Sequence, residues 1–316
     1  MTNEIIMIRR RVFLVASVLL LGCFFLTPLA SADDSSTQKV FSSPDAAATA
    51  LVAADKADDT KTLSSILGPD ADKVLSSGDP VADKNAREEF ARRYQEMHRL
   101  EYDDQGRVIL YVGAGNWPFP IPLVKKDSGW IFDTAAGKVE LLFRRIGRNE
   151  LFTIKVLETL ANAQSEYASD VHDGGETQFA QKILSDPGKQ NGLYWEAAEG
   201  QPESPIGPLV ASASAEGYKQ SSGGNPVPFH GYYYKVLKGQ GSNAPGGAKQ
   251  YLVDGKMTNG FAFLAYPAEY RASGVMTFMI NQDGVIVQKD LGPDTATLAG
   301  KMTQYNPDKT WQEVDE

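Results

Sequence analysis

Cysteine is almost absent from this 316-residue chain: Cys23 is the single one, and it lies inside an apolar N-terminal segment. Loss of that segment would leave no cysteine, which excludes disulfides, thiolate metal sites and a cysteine nucleophile together. Histidine is nearly as scarce, with His98, His172 and His230 scattered over separate stretches. Basic clusters are missing too: the formal charge is −9, and an acidic chain without a Lys/Arg patch is a poor ligand for nucleic acid or anionic lipid. After the N-terminus no run approaches the roughly 20 apolar residues of a membrane span. The sequence also lacks H-E-x-x-H, a P-loop, a dinucleotide glycine fingerprint and a Gly-x-Ser-x-Gly elbow, so no familiar catalytic constellation is available.

What is present begins with an export signal. Arg9, Arg10 and Arg11 precede an apolar run from Val12 to Leu26, and Ala30-Ser31-Ala32 precedes Asp33. That is the n-region, h-region and cleavage site of a signal peptide over residues 1–32, giving a periplasmic or secreted protein with no membrane span after cleavage. Arg10-Arg11-Val12-Phe13-Leu14 also resembles a twin-arginine signal and Leu20-Leu21-Gly22-Cys23 a lipobox. The strongly apolar h-region favours the general export route, and Phe24, Phe25 and Leu26 continue the apolar run where a lipoprotein would have a polar tether. Cleavage removes three Arg and one Glu, moving the charge from −9 to −11, and leaves 284 residues, about two domains at roughly 150 residues each.

The stretch Asn149 to Tyr167 organises the rest. Leu151, Ile154, Leu157, Leu160, Ala161 and Tyr167 recur at helical spacing, with Lys155, Glu158, Asn162 and Glu166 mostly opposite. Before it, helices are predicted over 44–58, 60–67 and 83–100, followed by strands over 107–112, 120–125, 130–133 and 139–145. After it come a short helix over 176–184, a loop-rich stretch over 192–217, and strands over 228–237, 250–253, 260–266, 275–281 and 284–289. The fold class is therefore α+β: an N-terminal unit over 33–147 patterned like a nuclear-transport-factor-2 cone, then a long helix on an antiparallel meander over 148–316, patterned like a pilin.

Several long motifs carry a family resemblance. They include Gly115-Asn116-Trp117-Pro118-Phe119-Pro120-Ile121-Pro122, Trp130-Ile131-Phe132-Asp133, Arg144-Arg145-Ile146-Gly147-Arg148-Asn149-Glu150, Pro187-Gly188-Lys189-Gln190-Asn191-Gly192-Leu193-Tyr194-Trp195 and Gln288-Lys289-Asp290-Leu291-Gly292. In these the chain resembles DUF2950, a family of exported bacterial proteins of unknown function. The resemblance implies export and the pairing of two units, and no activity.

Three groups of residues are candidates for function. Trp117, Phe119, Tyr194, Trp195, His230, Tyr232, Tyr233 and Tyr234 lie beside Pro and Gly in segments expected to reach the surface, where rigid aromatics contact a partner protein, a peptide or a glycan. The competing reading has Trp117 and Trp195 plugging gaps between the units. Asp170, Asp173 and Glu176 follow the central helix as possible calcium ligands, or as an ordinary solvated loop, since a full calcium loop needs more alternating oxygens. Arg144, Arg145 and Arg148 are either an anion site or ion-pair partners of Asp133 and Glu140, and the negative charge around them favours pairing. The resulting expectation is a cell-envelope binding or assembly module without catalytic activity. Its alternative is a hydrolase of an envelope polymer using Asp133 and Glu140 as paired carboxylates.

Overall fold

Residues 38–172, 175–219 and 226–314 are described in the computed structural model. The export signal, the twin-arginine and lipobox readings and Asp173 fall outside them. Four helices come first: α1 (Pro44–Lys56), α2 (Thr60–Leu67), α3 (Ala71–Leu75) and α4 (Pro80–Glu96). Ser43 and Asp79 start α1 and α4 by accepting from the amides of Ala46 and Ala82, each ahead of a proline that fits the first turn. That cap places the start of α4 at Pro80, ahead of the expected Asp83. Its expected tail is instead strand β1 (His98–Tyr102), because Met97 turns extended.

The strands β1, β2 (Val108–Val112), β3 (Trp117–Pro118), β4 (Leu123–Lys126) and β5 (Gly129–Phe132) form an antiparallel sheet, with main order β1-β2-β4-β5 and β3 beside β2. The inward residues Val108, Leu110, Val112, Leu123, Trp130 and Phe132 join Leu51, Leu63 and Ile66 of the helices in one core.

A 34-residue helix follows, α5 (Thr134–Tyr167), capped by Asp133, whose side chain accepts from the Ala136 amide. It overturns the expected strand over 139–145. The apolar alternation of Val139, Leu141 and Phe143 mimics a strand, and Gly137 reads as a break before it, yet Gly137 is a packing residue. A Cβ there would meet the Pro120 carbonyl and lie 2.5 Å from Ile121 Cα, so glycine lets α5 lie directly on the chain before β4. The second half of α5 buries Val156, Leu157, Leu160, Ala163 and Tyr167. Leu151, expected on that face, is 65% exposed, as are Val139 and Phe143 to similar degrees.

Beyond α5 the expected helix over 176–184 is extended. The buried amide of Gln164 explains this: its Nε2 donates to the Ala180 carbonyl and its Oε1 accepts from the Ala180 amide, both at 2.8 Å, an arrangement that holds the segment open against α5. Helix α6 (Gly207–Ala215) crosses the loop-rich stretch. Strands β6 (Tyr232–Leu237), β7 (Gly239–Gln240), β8 (Lys249–Gln250), β9 (Leu252–Val253), β10 (Lys256–Met257), β11 (Ala262–Pro267), β12 (Met276–Asn281) and β13 (Ile286–Asp290) follow, then α7 (Thr295–Lys301) and β14 (Gln312–Glu313). The main sheet runs β14-β13-β12-β11-β6, with β7–β8 and β9–β10 as small ribbons. Ala262 to Ala265 are all fully buried, so both faces of the sheet are covered. One face meets α5, since the hydroxyls of Tyr232 and Tyr234 reach Glu150 and Thr153. The other meets α7, where Lys235 Nζ donates to the Gly300 carbonyl. The fold is α+β, and no helix among the described residues is long and apolar enough to cross a membrane.

Candidate functional site

The structure disperses the eight aromatic candidates and places three in the core. Tyr232 is fully buried, and Phe119 and Trp195 are each only 8% exposed. This corrects the surface expectation: flanking Pro and Gly turn the chain inward here, and Trp195 Nε1 still finds the Pro202 carbonyl at 3.2 Å. Tyr194, Tyr233 and Tyr234 are half-buried, and Tyr233 lies against Tyr266 with ring centroids 5.4 Å apart.

His230 belongs to a polar junction between the two cores. Asp79 Oδ2 accepts from Tyr218 Oη at 3.0 Å and from the Gly231 amide at 2.8 Å, while Tyr218 Oη accepts from the His230 amide at 3.1 Å. The His230 ring lies over Phe152 at 3.8 Å, and Nε2 sits 2.8 Å from Glu216 Oε2. Burial lowers the imidazole pKa, against the opposing pull of Glu216 and Asp79.

The acidic run after α5 is not assembled into a cluster. Asp170 is exposed and accepts from the Val171 amide, Glu176 pairs with Lys256 at 2.9 Å, and among the described residues no three His, Cys, Asp or Glu side chains converge on a metal position. The two carboxylates of the hydrolase alternative have local partners: Asp133 caps α5, and Glu140 accepts from Arg144 Nε at 2.6 Å.

Trp117 and Phe119 instead meet at a cavity of about 280 Å³ enclosed by the first helices, the β3–β4 connection and the first half of α5. Leu51, Leu63, Leu67, Val74 and Ile121 make its apolar wall. Its volume is near the lower end of small-molecule pockets, about 300–1,000 Å³. The charge around that wall is uneven. On α4, Glu89 accepts from both Arg92 and Arg93 at 2.6–2.8 Å, and these bonds draw its pKa down to about 2. Arg87 directs Nε and Nη2 at Asp58 Oδ1. On α5, Arg144 pairs with Glu140, donates to the Pro118 carbonyl and stands 5.3 Å over the Trp117 ring.

Arg145 and Arg148 differ from these. Arg145 donates to the carbonyls of Val74 and Ser76 and makes no ion pair among the described residues; burial lowers its pKa, with Arg148 reinforcing the shift and the more distant Asp83 and Glu269 opposing it. Arg148 is exposed and has no ion pair among the described residues. A guanidinium carries five N–H donors, so Arg145 retains donors for an anion. Asp55 is the acidic counterpart on the wall. It is 7% exposed, and its carboxyl makes no hydrogen bond or ion pair among the described residues. Burial pushes its pKa up to about 7, with Arg87 opposing and Asp58 reinforcing the shift. Sequence reasoning found Trp117, Phe119 and the three arginines but missed Asp55. Its signal was an acidic residue four positions after Leu51, on the buried side of α1.

These features define an α+β protein with an apolar, arginine-rimmed cavity in its first half. The chain belongs to the family DUF2950, proteins of unknown function, whose model matches residues 38–314. No curated protein and no solved structure matches it.

Proposed function

We propose that this is an exported cell-envelope binding module, and that its cavity takes a small anion with an apolar body. The observation that carries this reading is the pair Arg145 and Arg148: two guanidiniums outside any ion pair among the described residues, beside an apolar wall, in a chain of net charge −9. Arg145 is held by the carbonyls of Val74 and Ser76, with Asp83 and Glu269 acting on it only at longer range, so its charge is compensated in part and an anionic ligand would complete it. The apolar wall favours burial of a hydrocarbon body at about 25 cal/mol per Å². The export signal read in the sequence supports a periplasmic or secreted location. The local pairing of Asp133 and Glu140 supports binding over polymer hydrolysis.

Calorimetric titration of the mature protein with decanoate, decanol and decyltrimethylammonium tests the reading. Decanoate should bind at least about ten-fold more tightly than either other probe, about 1.4 kcal/mol, and Arg148→Gln should weaken it several-fold without altering the fold. Equal binding of the cation, or no binding of decanoate, overturns it.

A further inference from the structure

Asp55 is the feature of the cavity that anion binding leaves unexplained. A carboxyl in an apolar wall loses most of its hydration; that of Asp55 has no hydrogen-bond partner among the described residues, yet its oxygens are not sealed from solvent, and the residue lines the cavity. The chain holds a suitable donor close by, since Arg87 acts electrostatically on Asp55 and lines the same cavity. Yet Arg87 turns both Nε and Nη2 to Asp58, whose side chain is 47% exposed. The buried carboxyl is bypassed in favour of an exposed one, and its free bonding capacity lies at the cavity wall.

We infer that Asp55 recognises a hydroxyl group on the bound molecule, so that the ligand class is a hydroxylated carboxylic acid with an apolar body. This rests on the anion-binding reading above, which places the ligand's carboxylate at Arg145 and Arg148. The choice of a hydroxyl follows from bonding capacity. An ionised Asp55 only accepts and a neutral one also donates, and a hydroxyl is both donor and acceptor, so it satisfies either form. An ammonium at that point would meet five arginines against the carboxylates Asp83 and Glu89 around the same cavity, and Glu89 is already held by Arg92 and Arg93, so the balance of charge disfavours a cationic ligand. A plain alkyl chain would leave the carboxyl without a partner.

The test compares decanoate with decanoates carrying one hydroxyl at carbon 3, 6 or 10, titrated into the mature wild-type protein and into Asp55→Leu. One hydroxyl position should bind about ten-fold more tightly than decanoate, the scale of one hydrogen bond to a carboxyl. In Asp55→Leu, which keeps the branched shape with an apolar and bulkier end, that preference should vanish while decanoate binding holds or improves. Far-ultraviolet circular dichroism checks that the variant is folded, and Asp55→Asn, which retains a donor and an acceptor, should keep part of the preference. Decanoate binding with no hydroxyl preference, or a preference that survives Asp55→Leu, overturns this inference and leaves the anion reading standing. Failure of every probe to bind overturns both.

Discussion

The two cores of this protein share one helix and are built to opposite ends. Around the second half of α5, Leu157, Leu160, Tyr232, Phe263 and Phe278 are at most 1% exposed and fill the space between helix and sheet. Around the first half, Leu51, Leu63, Leu67 and Phe119 are also buried, but they enclose a void of about 280 Å³ and share it with Asp55 and Arg145. Close packing is worth several kcal/mol per large side chain, so leaving space and unpaired charge in one core lowers the stability that this half can reach. The contrast teaches where to look for function: the first core leaves open space beside ionisable groups, while the cost in the second is confined to single atoms such as Thr277 Oγ1, buried without a partner.

Breaking the filled core should give the largest effect. Leu157→Asp puts an unpaired charge at a fully buried position and should cost more than about 4 kcal/mol, read as a collapse of the melting temperature or loss of the folded protein. The hollow core should respond to pH instead. Asp55 titrates near 7 in the fold and near 3.8 when unfolded, so from about pH 4 to 7 the unfolded chain has released a proton that the folded chain keeps. Stability therefore falls with rising pH across that window and is level above it, by roughly 4 kcal/mol in all at 1.36 kcal/mol per unit. Urea unfolding at pH 4.5 and 7.5 should show Asp55→Asn relieved of most of that fall relative to wild type. An identical pH dependence in both proteins would show that Asp55 is solvated.

Next in size is Trp195→Ala, a truncation in the filled core that should cost about 3 kcal/mol and lower the melting temperature, where a surface aromatic would leave it unchanged. The smallest effect belongs to Glu140→Gln. Its pair with Arg144 is half-exposed, and losing it should change stability by no more than about 0.5 kcal/mol, with decanoate binding intact. A large loss of binding there would move Glu140 into the site and sharpen the hydrolase alternative.

Legibility in the sequence follows the same division. Residues 60–67 form the expected helix, the strands of the last sheet lie within a few residues of their expected positions, and Leu157 faces the core as its periodicity requires. Those features depend on local pattern. The first half of α5 was misread because Gly137 serves a contact with Pro120 and Ile121 that no local pattern announces. The segment after α5 was misread because Gln164 fixes Ala180 from a separate element. For the site, the arginine triplet and Trp117 with Phe119 were visible as residues, but their meeting needed the packing of four helices and a sheet. Asp55 carried the weakest signal, since a single acidic residue in an Ala-rich helix looks like its solvated side until the neighbours are known.

The junction at Asp79 has a mechanical consequence. Its carboxylate caps α4 at one oxygen and holds Tyr218 and Gly231 at the other, so one side chain bolts the helix that borders the cavity to the filled core. The second connection is α5 itself, about 51 Å of continuous helix at 1.5 Å per residue. A lever anchored at both ends cannot swing. The cavity's arginines on α5 are therefore carried on a fixed beam, and an anion bound as proposed would meet donors already aimed, with little orientational freedom left to lose on arrival.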